Sequence, residues 1–106
     1  MVGQFVRVCA MAEIEEGKTR VFNVKNQPVI LAKVDGAIYA LEGICSHDGG
    51  EFGDGERLIN GQIECPRHGA RFNIKTGEVG RMPAVVGIKS FETKADNGDV
   101  YIAIDD

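Results

Sequence analysis

Residues 45–68 read CSHDGGEFGDGERLINGQIECPRH. The stretch opens on Cys45-Ser46-His47 and closes on Cys65-Pro66-Arg67-His68, with seventeen residues between the two ligand clusters. The whole chain holds two histidines and three cysteines, and four of these five soft ligands fall into the two clusters, one Cys and one His in each. Such a pattern points to a metal.

Two apposed loops of this kind can put both thiolates on one side of a small site and both imidazoles on the other. A dinuclear iron centre with two inequivalent irons suits that division: Cys45 and Cys65 on one iron, His47 and His68 on the other. A mononuclear tetrahedral zinc also accepts two Cys and two His, but its usual spacing pairs Cys with Cys and His with His.

The order Cys-x-His, seventeen residues, Cys-x-x-His, continuing as CPRHGARFNIKTGEV, resembles the Rieske 2Fe-2S motif. The later segments MPAVVGIKSFETK and GDVYIAI also resemble a small Rieske-type ferredoxin, so the likeness spans nearly the whole chain. It implies an all-β fold, a Rieske-type antiparallel β-sandwich, with residues 1–106 as one domain and a small cluster-binding subdomain at about 43–83. The implied cofactor is one 2Fe-2S cluster held by Cys45, His47, Cys65 and His68. The implied work is one-electron transfer from a flavin-dependent ferredoxin reductase to a terminal Rieske non-haem iron oxygenase, commonly an aromatic-ring dioxygenase. The chain is not expected to be the oxygenase, because a separate mononuclear iron with two His and a carboxylate has no third histidine to draw on here. Other readings are an electron-transfer protein like the small subunit of nitrite reductase, one that serves iron-sulfur assembly, and a zinc-stabilised interaction module.

Formal charge explains two imidazoles in place of two thiolates. Two ferric ions, two sulfides and two thiolates sum to zero, so adding an electron is easier than at a four-cysteine centre. Rieske centres accordingly span about −150 to +300 mV, against about −400 mV for plant-type ferredoxins. In the Rieske proteins of cytochrome bc complexes each loop carries a further Cys, and hydroxyl groups hydrogen-bond the cluster. The matching positions here are Gly50 and Arg67 for the cysteines, Ala70 and Phe72 for the hydroxyls. Fewer donors predict a potential toward the low end of that range. His47 and His68 are expected at an exposed tip, as the exit for electrons, with Arg67, Arg71 and Arg81 available to shape a docking surface.

A length of 106 residues suits one modest core. A net charge of −4 argues against a nucleic-acid surface. No signal-like or membrane-spanning apolar run is visible, and Cys9 is left without a disulfide partner, so the expectation is a cytoplasmic protein with no membrane association. Cys9 itself lies in VRVCAM and reads as a small buried hydrophobe. Glu13, Glu15, Glu16, Asp105 and Asp106 read as solvated charges.

Outside the ligand stretch, short β-rich runs alternate with Gly-containing turns. Phe5 to Met11 predicts a strand, closed by a turn around Gly17, and Arg20 to Lys25 a second, with Val21 and Asn23 opposite Phe22 and Val24. The runs VILAKV and AIYALE meet across Asp35-Gly36, and Asn60-Gly61 joins Arg57–Ile59 to Gln62–Glu64. Both dipeptides fit two-residue turns that need positive φ at each central position. Each ligand pair thus follows a strand of its own hairpin. Gly49, Gly50, Gly53 and Gly55 suggest tight turning near the metal, and Thr76-Gly77 another turn, with Pro83 ending the segment. GIKSFETK and VYIAI are expected to pair across Asn97-Gly98. Tyr39, Tyr101, Phe5 and Phe91 are expected in the core.

Overall fold

The computed structural model describes residues 4–44, 52, 58–65, 69–81 and 87–104. Ten strands form in it: β1 Gln4–Ala10, β2 Thr19–Val24, β3 Gln27–Val34, β4 Ala37–Glu42, β5 Gln62–Glu64, β6 Arg71–Asn73, β7 Val79–Arg81, β8 Ser90–Phe91, β9 Thr93–Asp96 and β10 Asp99–Ile104. Among the described residues the one helical element is a 3₁₀ turn, Met11–Glu13. No helix is long and apolar enough to cross a membrane among them. The strands make three antiparallel sheets, ordered β1-β10-β9, β2-β3-β4-β8 and β5-β6-β7.

Asp35 (φ 52°) and Gly36 (φ 80°) turn β3 into β4, and Asn60 (φ 51°) and Gly61 (φ 76°) turn Ile59 onto Gln62, as the dipeptides predict. The second turn is closed by reciprocal Ile59–Gln62 main-chain bonds of 2.9 and 3.0 Å. Between β2 and β3, Lys25 (φ 49°) and Asn26 (φ 64°) make a turn of the same kind that the sequence did not announce, since lysine rarely adopts positive φ.

Side-chain alternation divides the interior in two. In β3, Val29 and Leu31 face a core completed by Val24, Ile38, Ala40 and Phe91 and, from the β1-β10-β9 sheet, by Cys9, Val100, Ile102 and Ile104. On its other face Ile30 and Ala32 join Leu41 in a second core with Ile63, Cys65, Ala70, Phe72, Ile74, Ile88 and Phe52. The sheet carrying β3 is therefore covered on both faces, which is why VILA is continuously apolar rather than alternating. The β5-β6-β7 sheet packs on the side that holds Cys65.

Three expectations are corrected. Phe5 is 40% exposed rather than core. It lies opposite Ala103 on the outward face of β1, and the Lys94 ammonium stands over both its ring (4.8 Å) and that of Tyr101 (5.3 Å). Tyr39 and Tyr101 are half-buried, and Phe91 is buried as expected. The run GIKSFETK is not one strand: β8 pairs with β4, while β9 crosses to pair with β10, so the chain changes sheets at Glu92. Glu13 and Glu16 are not merely solvated. The Glu16 carboxylate accepts the Asp35 and Gly36 amides at 2.7 and 3.0 Å, capping the β3–β4 turn. The Glu13 carboxylate accepts the Ala10 amide at 2.7 Å. Asp105 and Asp106 lie outside the described residues.

Candidate metal centre

The first ligand loop leaves β4 through Gly43. Its amide donates to the Pro28 carbonyl at 2.8 Å, and its carbonyl accepts the Phe52 amide at 3.2 Å. These bonds make a neck at Gly43, two residues before Cys45 in the sequence. Cys45, His47 and the glycines Gly49, Gly50, Gly53 and Gly55 lie outside the described residues.

The second loop is carried by β5. Among the described residues the expected strand before Asn60-Gly61 reduces to an isolated Ile59–Gln62 bridge, and β5 pairs with β6 instead. Cys65 follows β5, its amide donating to the Ala70 carbonyl at 2.7 Å while its carbonyl accepts the Gly69 amide at 2.9 Å. A six-residue loop is thus cinched at its base, and His68 stands immediately before Gly69, at positive φ (75°). Pro66, Arg67 and His68 are outside the described residues, so of the four predicted ligands the structure places Cys65 alone.

Cys65 is completely buried, as are Ala70 and Phe72 beside it in the same core. Membership of that apolar core suits a soft, polarisable metal ligand. In strand register Ile63 faces Phe72 and Glu64 faces Arg71, and the Arg71 guanidinium donates to the Glu64 carboxylate at 2.9 Å. Arg71 is engaged there, in the strand after the loop, rather than held out as a free docking cation. Arg67 is outside the described residues, as is the side chain of Arg81.

The sequence reading missed Phe52. It is the only aromatic residue in the glycine- and acid-rich stretch 45–57, and that isolation was the available signal. The ring is 7% exposed and packs edge-on against Phe72, centroids 5.8 Å apart and planes at 89°.

The Rieske [2Fe-2S] domain family matches residues 4–92. The chain belongs to that family. Two curated relatives are similar over nearly all of it. One is the ferredoxin component of the naphthalene 1,2-dioxygenase system of Pseudomonas putida, 32% identical over 96% of this chain and 97% of its own length. The other is the ferredoxin component of the alkene monooxygenase system of Xanthobacter autotrophicus, 33% identical over 93% of this chain and 80% of its own. Among solved structures, the ferredoxin of carbazole 1,9a-dioxygenase from Nocardioides aromaticivorans superposes with a TM-score of 0.86 at 25% identity, covering 94% of this chain and 97% of that one. A chain from a complex of reduced oxygenase and oxidized ferredoxin in carbazole 1,9a-dioxygenase gives 0.84 at 34%, covering 93% and 92%.

This Rieske ferredoxin is an electron-transfer component, and its cofactor is a [2Fe-2S] cluster of Rieske type. When bound, the cluster supplies one-electron redox chemistry. The described part of the protein sets Cys65 in an apolar core at the base of a clasped loop and keeps that frame stiff. The pairing of β5 with β6 and the carbonyl–amide bonds at Gly43 and Cys65 supply that stiffness.

Proposed function

We propose that Cys45 and Cys65 ligate one iron of the cluster and His47 and His68 the other, with residues 43–83 acting as a cluster-binding subdomain. On this reading the protein accepts single electrons from a flavin-dependent ferredoxin reductase and passes them to a terminal non-haem iron oxygenase. The end-to-end likeness to a dioxygenase ferredoxin carries the reading: the match covers 96% of this chain and 97% of that relative. The kinship with a ferredoxin taken from an oxygenase complex supports the choice of acceptor. The free thiol of Cys9 suits a reducing compartment, and we assign the protein to the cytoplasm.

The test is an EPR spectrum after dithionite reduction, for the wild type and for Cys65→Ser and His68→Cys. A rhombic signal with the low average g-value of histidine-ligated clusters is expected in the wild type. It should vanish or change form in each variant. Zinc or no metal in the wild type would remove the carrier reading. Reduced protein that is reoxidised by a purified ring-hydroxylating oxygenase, with product formed, supports the acceptor; persistent reduction beside it argues against.

A further inference from the structure

We propose that Phe52 is a positioning residue for the cluster, its ring locking the neck of the first ligand loop to the strand that follows the second. The inference rests on the ligand assignment above. The Phe52 amide closes the first neck on Gly43 at 3.2 Å, two residues before Cys45. Its ring meets Phe72 edge-on at 5.8 Å. Phe72 stands two residues after Ala70, whose carbonyl holds the Cys65 amide at 2.7 Å. A continuous line of contacts therefore runs from the residue before one ligand loop, through two packed rings, to the backbone that fixes a ligand in the other.

The composition around Phe52 strengthens the argument. Stretch 45–57 is otherwise glycine, acid and polar residues with the cysteine ligand, so this side chain is the segment's one large apolar anchor. Its ring is buried in the core that holds Cys65. Metal sites tolerate little displacement of their donors, and packed side chains behind the ligands set that tolerance. Shortening the ring lets the first neck settle toward Phe72 and changes the spacing of the two loops.

The test uses the purified, cluster-loaded protein and the variants Phe52→Leu, Phe72→Leu and the double variant. Phe91→Leu is the control, a similar exchange in the core on the opposite face of the central sheet. The readouts are the EPR g-values of the reduced protein, its reduction potential and the rate of bleaching by an iron chelator. Both single variants are expected to shift the g-values and to bleach about twofold to tenfold faster, the range an edge-on aromatic pair spans. The double variant should bleach no faster than the worse single one, because the same contact is lost. Phe91→Leu should lower the melting temperature and leave g-values and bleaching unchanged. Wild-type g-values and bleaching in Phe52→Leu would overturn the proposal, as would effects matching those of Phe91→Leu. If Phe52→Leu does not fold, Phe72→Leu decides by the same readouts. A wild type without a Rieske signal would defeat the ligand assignment instead, so the two failures are distinct.

Discussion

Gly77 and Ile88 are locked backbone to backbone. The Ile88 amide donates to the Gly77 carbonyl at 2.8 Å, and a β-carbon added at Gly77 would lie 1.9 Å from the Ile88 carbonyl oxygen. Gly77 also holds φ +80°, a left-handed conformation that side chains resist. This contact ties the turn after β6 to the segment entering β8. Gly77→Ala is therefore expected to destabilise by roughly 2 kcal/mol or more, from backbone strain and from displacing main chain that cannot rotate away. Urea unfolding measures it; a loss within about 0.5 kcal/mol would contradict the contact.

Phe5 and Phe72 should behave very differently when cut back. Phe5 lies outside, with Lys94 over its ring, so Phe5→Ala is expected to cost about 1 kcal/mol or less. Phe72 is completely buried, so Phe72→Ala should cost about 3–5 kcal/mol. Thermal unfolding of the two variants side by side distinguishes the positions, and equal losses would contradict the assigned burial.

Burial pushes the Cys9 thiol up from its ordinary value of 9.0. The unfolded thiol then ionises first as pH rises, while the folded one keeps its proton. Cys9 therefore leaves stability unchanged below pH 9.0 and lowers it from there toward its raised folded pKa. The slope is bounded by about 1.4 kcal/mol per pH unit, the value for one proton. In Cys9→Ala that share of the alkaline loss should disappear, whatever the variant's stability at neutral pH. Melting temperatures between about pH 8.5 and 10.5 test this, and parallel curves for the two proteins would refute it.

Ala70 lies buried beside Cys65, with its carbonyl on the Cys65 amide. A hydroxyl there adds a donor next to the cluster, and donors favour the more negative reduced state. Ala70→Ser is expected to raise the reduction potential by roughly 40 mV, the equivalent of one net hydrogen bond of about 1 kcal/mol. Spectroelectrochemical titration of both proteins reads the shift. An unchanged or lowered potential would exclude a donor role for this position.

Much of this architecture was legible in the sequence because its signals are local. Asp35-Gly36 and Asn60-Gly61 have few other uses, and VILAKV and AIYALE flank the first of them as strands do. The paired Cys and His clusters led to the right family. Long-range features did not show. Nothing near Glu92 says that the chain changes sheets, because β8 and β9 are each too short to reveal a periodicity. Glu16 looks like any surface acid until the β3–β4 turn, far off in sequence, is brought under its carboxylate. Phe5 alternates like a core residue, but among the described residues no layer covers the outward face of its sheet. Phe52 acquires meaning only when β6 brings Phe72 against it.

The two faces of β3 look into cores that share no residue among those described. Such a partition loosens the evolutionary bond between the halves. A substitution behind Val100 or Ile102 is answered by neighbours on its own side, and the walls of the cluster site need not respond. The core of Val100 and Ile102 can drift by itself, while the core that holds Cys65 is retuned. A lineage can thus acquire a different redox partner without refolding the molecule that serves it.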